Sequence, residues 1–176
     1  MNASAQRTAA RAAGVLVGIG LAVSLLLVSR PSALVAPAPA SLRVAVVPTG
    51  ELEIAPPPPR PVLVAHGLRP GGRRASGGFV IRNQTGDGLA VALRADADST
   101  SLDGLLRVRV RSGDRLIAET TLQGLRLRPI RLRLASGQRV RLALEAWLPK
   151  DVLSGYEGSR AEVSFTPLPR RMEGQR

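Results

Sequence analysis

Leu106-Arg107-Val108-Arg109-Val110-Arg111 alternates apolar and cationic residues without a break. The same zigzag returns in Leu125-Arg126-Leu127-Arg128 and in Ile130-Arg131-Leu132-Arg133-Leu134. It continues from Val140 to Trp147, with Ala143 as one small residue on the polar side. A period of two places successive side chains on opposite faces of an extended strand, one dry and one wet. A helix would scatter the same leucines and arginines around its circumference. The pattern therefore predicts sheets, each with one apolar face that must be covered.

Turn signals cut the pattern into short pieces: Pro48-Thr49-Gly50, Arg69-Pro70-Gly71-Gly72, Gly77-Gly78, Thr85-Gly86-Asp87-Gly88, Ser112-Gly113-Asp114, Ser136-Gly137 and Ser154-Gly155. Strands are expected over 42–47, 50–54, 62–66, 78–83, 88–95, 105–111, 115–120, 124–128, 130–134, 138–148 and 160–166. Ser112-Gly113-Asp114 predicts a hairpin between two of them. Pro129 has no N–H for a ladder and marks an edge, a bulge or a corner between 124–128 and 130–134. Pro56-Pro57-Pro58-Pro59 reads as a stiff polyproline II link that sets strand 50–54 apart from the main body. Many short strands without a helical pattern indicate an all-β fold, an antiparallel β-sandwich.

The amino terminus differs. Ala12 to Val28 is an apolar run preceded by Arg7 and Arg11, and no acidic residue occurs before Glu51. A basic segment followed by an apolar helix has the form of an export signal or an amino-terminal membrane anchor. Ala38-Pro39-Ala40 before Ser41 offers a cleavage site, but it lies far beyond Val28 and prolines crowd it. Both outcomes stay open: release, or tethering to the cytoplasmic membrane through residues 12–28. The expected organisation is a signal or anchor over 1–30, a Pro/Ala-rich spacer over 31–40, a β-sandwich over 41–168 and a basic disordered tail over 169–176. The domain is expected to lie outside the cell or on its surface.

Composition narrows the chemistry. The 176-residue chain has no cysteine and a single histidine, His66, which excludes thiolate sites and two-histidine metal cages. Two phenylalanines, one tryptophan and one tyrosine are too few for a base-stacking platform, so no specific nucleic acid is predicted as a partner. Against 13 Asp+Glu stand 25 Lys+Arg, of which only Lys150 is lysine. Arg7, Arg11 and Arg30 precede Ser41, so residues 41–176 carry a charge of +9. No enzyme activity and no cofactor are expected.

Several segments together resemble the secreted TasA/camelysin family. They are Gly50-Glu51-Leu52, Leu68-Arg69-Pro70-Gly71, Val80-Ile81-Arg82-Asn83-Gln84-Thr85-Gly86, Leu122-Gln123-Gly124-Leu125, Leu134-Ala135-Ser136-Gly137, Val140 to Pro149, Gly155-Tyr156-Glu157-Gly158 and Val163-Ser164-Phe165. Their order over residues 42–166 carries the likeness. It implies a jelly-roll or Ig-like sandwich at the cell surface, with self-assembly by a lent amino-terminal strand in some members. The peptidase label given to other members is not carried over, because His66 stands alone without an H-E-x-x-H motif.

Two functions follow as expectations. One is a structural surface or matrix protein that self-associates by strand exchange. Its donor strand, Ser41 to Val47, would use Leu42, Val44 and Val46, with pairing inside its own sheet as the plainer alternative. The other is a module for anionic envelope polymers or lipids. Arg107, Arg109 and Arg111 share one strand face, as do Arg131 and Arg133, and Arg139 and Arg141. Aligned strands would make them one basic surface several strands wide. The bland alternative is a solvated face in an arginine-rich chain.

The remaining motifs are weaker. Asp96 to Asp103 begins like a calcium loop, but Ser101 replaces the required glycine and Arg107 the closing glutamate, so a polar turn is expected. Asn83-Gln84-Thr85 matches a glycosylation acceptor. His66 reads as a strand-end residue, and Trp147 and Phe165 read as core anchors. Tyr156 is expected to pack on a loop and to hydrogen-bond through its hydroxyl.

Overall fold

The computed structural model describes residues 36–47 and 49–172. The apolar run 12–28, residues 31–35 of the spacer, Pro48 and residues 173–176 lie outside that range. Among the described residues no helix is long and apolar enough to cross a membrane.

Ten strands form two five-stranded sheets. In chain order they are β1 (Ala40–Val46), β2 (Leu52–Ala55), β3 (Leu63–Leu68), β4 (Ala75–Asn83), β5 (Leu89–Ala97), β6 (Arg107–Ser112), β7 (Arg115–Thr121), β8 (Ile130–Leu134), β9 (Arg139–Trp147) and β10 (Arg160–Arg171). One sheet runs β3-β1-β10-β5-β8 and the other β2-β4-β9-β6-β7. Their inner faces share a single core of Leu, Val, Ile and Ala, with Phe79 of β4 and Phe165 of β10 meeting at 6.2 Å between ring centroids. The alternation does what its period requires. In β9, Leu142, Leu144 and Ala146 are buried, while Arg139, Arg141 and Ala143 are exposed.

The structure departs from the sequence expectations at several places. The first sheet is mixed rather than antiparallel, because β1 runs parallel to β10, with Leu42 opposite Ala161 and Val44 opposite Val163. Residues 124–128 are not a strand. Leu122–Leu127 form a short helix, α1, in which Leu122 and Leu125 are buried three residues apart. Thr121 caps it by accepting the Gly124 N–H at 3.1 Å, and Pro129 follows it as a stop. Leu125-Arg126-Leu127 fits either period over so short a stretch, and the cap decides between them.

Residues 56–59 are no rod. They turn the chain, with cis peptide bonds at Ala55-Pro56 and Pro58-Pro59, and the Arg60 N–H reaches the Pro57 carbonyl at 3.4 Å. Strand β2 is not set apart either, since it pairs with β4. Gly77 and Gly78 lie inside β4 instead of making a turn. The Gly78 N–H donates to the Val62 carbonyl at 2.9 Å, and a Cβ on Gly77 would run into that carbonyl. The missing side chain of Gly77 lets β4 approach the start of β3 in the other sheet, and a Cβ on Gly78 would meet the Leu142 carbonyl of neighbouring β9. Finally, β10 continues through Pro167 and Pro169 to Arg171, so residues 169–171 belong to the sheet and not to a disordered tail.

The Ser112-Gly113-Asp114 hairpin forms as expected, with Gly113 at φ +56°. Strand β1 occupies an interior place between β3 and β10. The donor-strand candidates Leu42, Val44 and Val46 are thus buried in their own core.

Candidate functional site

The seven candidate arginines do not share a surface. Arg107, Arg109 and Arg111 of β6 and Arg139 and Arg141 of β9 project from the outer face of one sheet, since β6 and β9 are neighbours there. Arg131 and Arg133 project from the outer face of the other, because β8 is the edge strand beside β5. The two outer faces point in opposite directions, so a single basic plane is ruled out. Sequence alternation fixes which face of its own strand an arginine occupies, but not which sheet the strand joins.

Cross-strand register divides the arginines further. Arg109 lies opposite Glu119 of β7 on one side and Glu145 of β9 on the other. Its guanidinium contacts Glu119 at 2.7 Å and Glu145 at 3.4 Å, and Arg74 reaches Glu145 at 3.2 Å. The hydrogen bond from Arg109 holds the Glu119 carboxyl below its ordinary range against a smaller opposing effect of burial. The same bond raises Arg109. Trp147 is not a core anchor. It sits half-buried on the outer face, with the Arg74 and Arg109 guanidinium carbons 4.5 Å and 5.2 Å from its ring centroid. This part of the face is a neutral brace across β7, β6 and β9, and Arg109 is engaged in it. The period-two pattern alone does not mark Arg74, Glu119 or Glu145. The acidic residues at outward positions of 115–120 and 138–148 were the available signal.

The opposite end of the sheets is different. Arg139 faces Arg82 across the β9–β4 pair, and Arg141 follows two residues on. Arg111, opposite Ala143, stands diagonal to Arg141. On the other sheet, Ala90 lies between Arg133 and Arg170, and Ala92 lies between Arg131 and Leu168. The two sets lie at the same end of the domain because residues 135–138 link the end of β8 to the start of β9. Asn83 locks that link. Fully buried, it donates through Nδ2 to the carbonyls of Asp87 (2.7 Å), Ala135 (3.0 Å) and Leu134 (3.3 Å). Its Oδ1 accepts from the Thr85 N–H and hydroxyl at 2.9 Å and 2.8 Å. The glycosylation motif is therefore a structural clamp, and its amide is inaccessible to a glycan in the folded domain. Only Arg82, held 3.6 Å from Glu53, and Arg171, 3.9 Å from Glu51, have carboxylate partners in this cluster among the described residues.

The other motifs resolve without a site. Asp103 pairs with Arg126 of α1, and Asp96 lies 3.3 Å from Arg94. The Thr100 hydroxyl accepts the Leu102 N–H at 3.2 Å, as in a polar turn. Among the described residues no three acidic or histidine side chains are grouped to hold a metal. Tyr156 and Phe165 are buried, and His66 is exposed within β3. No protein-family model matches the chain, and no curated protein matches it in sequence.

Proposed function

We propose that this domain is an exported, non-enzymatic module that binds a flexible anionic polymer at the end of the sheets that carries Arg139 and Arg141 on one outer face and Arg133 and Arg170 on the other. The observation that carries the reading is the arrangement of these arginines on two back-to-back faces joined by one turn. A flat lipid surface can meet one face at a time, whereas a flexible chain can bend around the end and meet both. Arginine's planar fork suits phosphate oxygens. The few carboxylates nearby leave the local field positive. Export rests on the amino-terminal apolar run, and the TasA/camelysin resemblance, with its jelly-roll or Ig-like architecture, accords with display at the surface.

Long-chain polyphosphate is a suitable probe. The quadruple variant Arg133→Glu/Arg139→Glu/Arg141→Glu/Arg170→Glu should bind at least about tenfold more weakly than the parent and show a shallower salt dependence. Arg107→Glu, at the other end of its face, should bind like the parent. Unchanged polyphosphate binding by the quadruple variant, with its circular dichroism intact, would reject the proposal.

A further inference from the structure

On the outer face of the first sheet, β3, β1 and β10 form a groove lined by Ser41, Arg43, Val64, His66, Arg160 and Glu162. Its shape depends on one irregularity. Leu42 pairs with Ala65 and Ala40 with Leu68, so Ser41 alone faces both His66 and Gly67. Gly67 adopts φ +68°, the left-handed conformation that glycine supplies at a bulge. His66 faces outward by alternation after buried Ala65, and the extra residue returns Leu68 to the core. Across β1, Ser41 lies opposite Arg160, and Arg43 lies opposite Glu162. Among the described residues neither Arg43 nor Arg160 is engaged in an ion pair.

From this juxtaposition we infer that the groove binds one phosphate ester of a polyol, independently of the polymer-binding end. Arg43, Arg160 and the His66 imidazole donate to phosphate oxygens, and the Ser41 hydroxyl adds a fourth donor. Glu162 can only accept when ionised, so it selects a ligand carrying hydroxyl groups beside its phosphate. Two guanidinium charges against one carboxylate leave the groove positive, which matches a singly or doubly charged ester.

His66 is the chain's one histidine, so its ring gives a single set of imidazole signals in the spectrum of the full-length protein. Titration with sn-glycerol 3-phosphate should shift those signals saturably, while sodium chloride at equal ionic strength should not. Arg43→Ala/Arg160→Ala should abolish the saturable shift but keep polyphosphate binding. Arg139→Glu/Arg141→Glu should weaken polyphosphate binding but keep the saturable shift, so the two sites fail separately. Inorganic phosphate should bind several-fold more weakly than the ester, and Glu162→Gln should erase that preference. A shift that follows ionic strength alone, one that survives loss of both arginines, or equal affinity for inorganic phosphate would overturn the assignment. Phosphatidylglycerol vesicles distinguish two sources of the same chemistry. Competition with the soluble ester places a lipid headgroup in the groove, and its absence assigns the soluble ester.

Discussion

Asn83 shows how much one side chain can organise. A buried amide that satisfies carbonyls from two separate segments replaces water that cannot reach them. Asn83→Ala should cost roughly 2–3 kcal/mol, because the orphaned carbonyls keep their desolvation penalty. Asn83→Asp should cost more at neutral pH, since a carboxylate would then face the carbonyls of Asp87, Leu134 and Ala135. Urea midpoints of the two variants test the ranking. The sequence shows Asn83 only as the first residue of an N-x-T motif. Thr85 and Asp87 are local partners, but the Leu134 and Ala135 carbonyls lie 51 and 52 positions away, and no local pattern records those two. Arg109 teaches the same lesson. Its outward direction was legible in the alternation, but its neutralisation was not, because Glu119 and Glu145 meet it only through register.

At the scale of elements, period two identified most strands and the hairpin at Gly113. It failed at 124–128, where Leu125 and Leu127 look equivalent. In the helix they are opposites, Leu125 being 2% exposed and Leu127 74%. Leu125→Ala should therefore destabilise by about 2–4 kcal/mol, and Leu127→Ala by less than about 0.5 kcal/mol. A strand would make the two variants alike, and thermal or urea unfolding distinguishes the cases. Gly77 and Gly78 misled in the other direction. Gly77 serves close approach between sheets and Gly78 close approach to β9 within one sheet, requirements set by neighbours distant in the chain. The assignment of β6 and β9 to one sheet and β8 to the other was equally invisible, since strand order is a property of long-range pairing.

Charge balance belongs to the molecule as a whole. With 25 basic and 13 acidic residues, every carboxylate that takes up a proton adds to an existing positive surplus. Glu119 is held below its ordinary value of 4.5 by Arg109. The unfolded chain therefore binds this proton more readily than the folded one. The stabilisation is complete above about pH 4.5 and is lost as pH falls through the depressed value. Urea midpoints between pH 7 and pH 3 should drop on the acid side, and Glu119→Gln should lower the neutral plateau while flattening that drop. The parallel pairing of β1 with β10 has a consequence in time. The first and last strands of the domain are adjacent, so a ribosome-bound chain lacks the central strand of this sheet until residues 160–171 have been made. Closure of this sheet must wait for β10, and a domain that stays open that long remains threadable through a narrow pore.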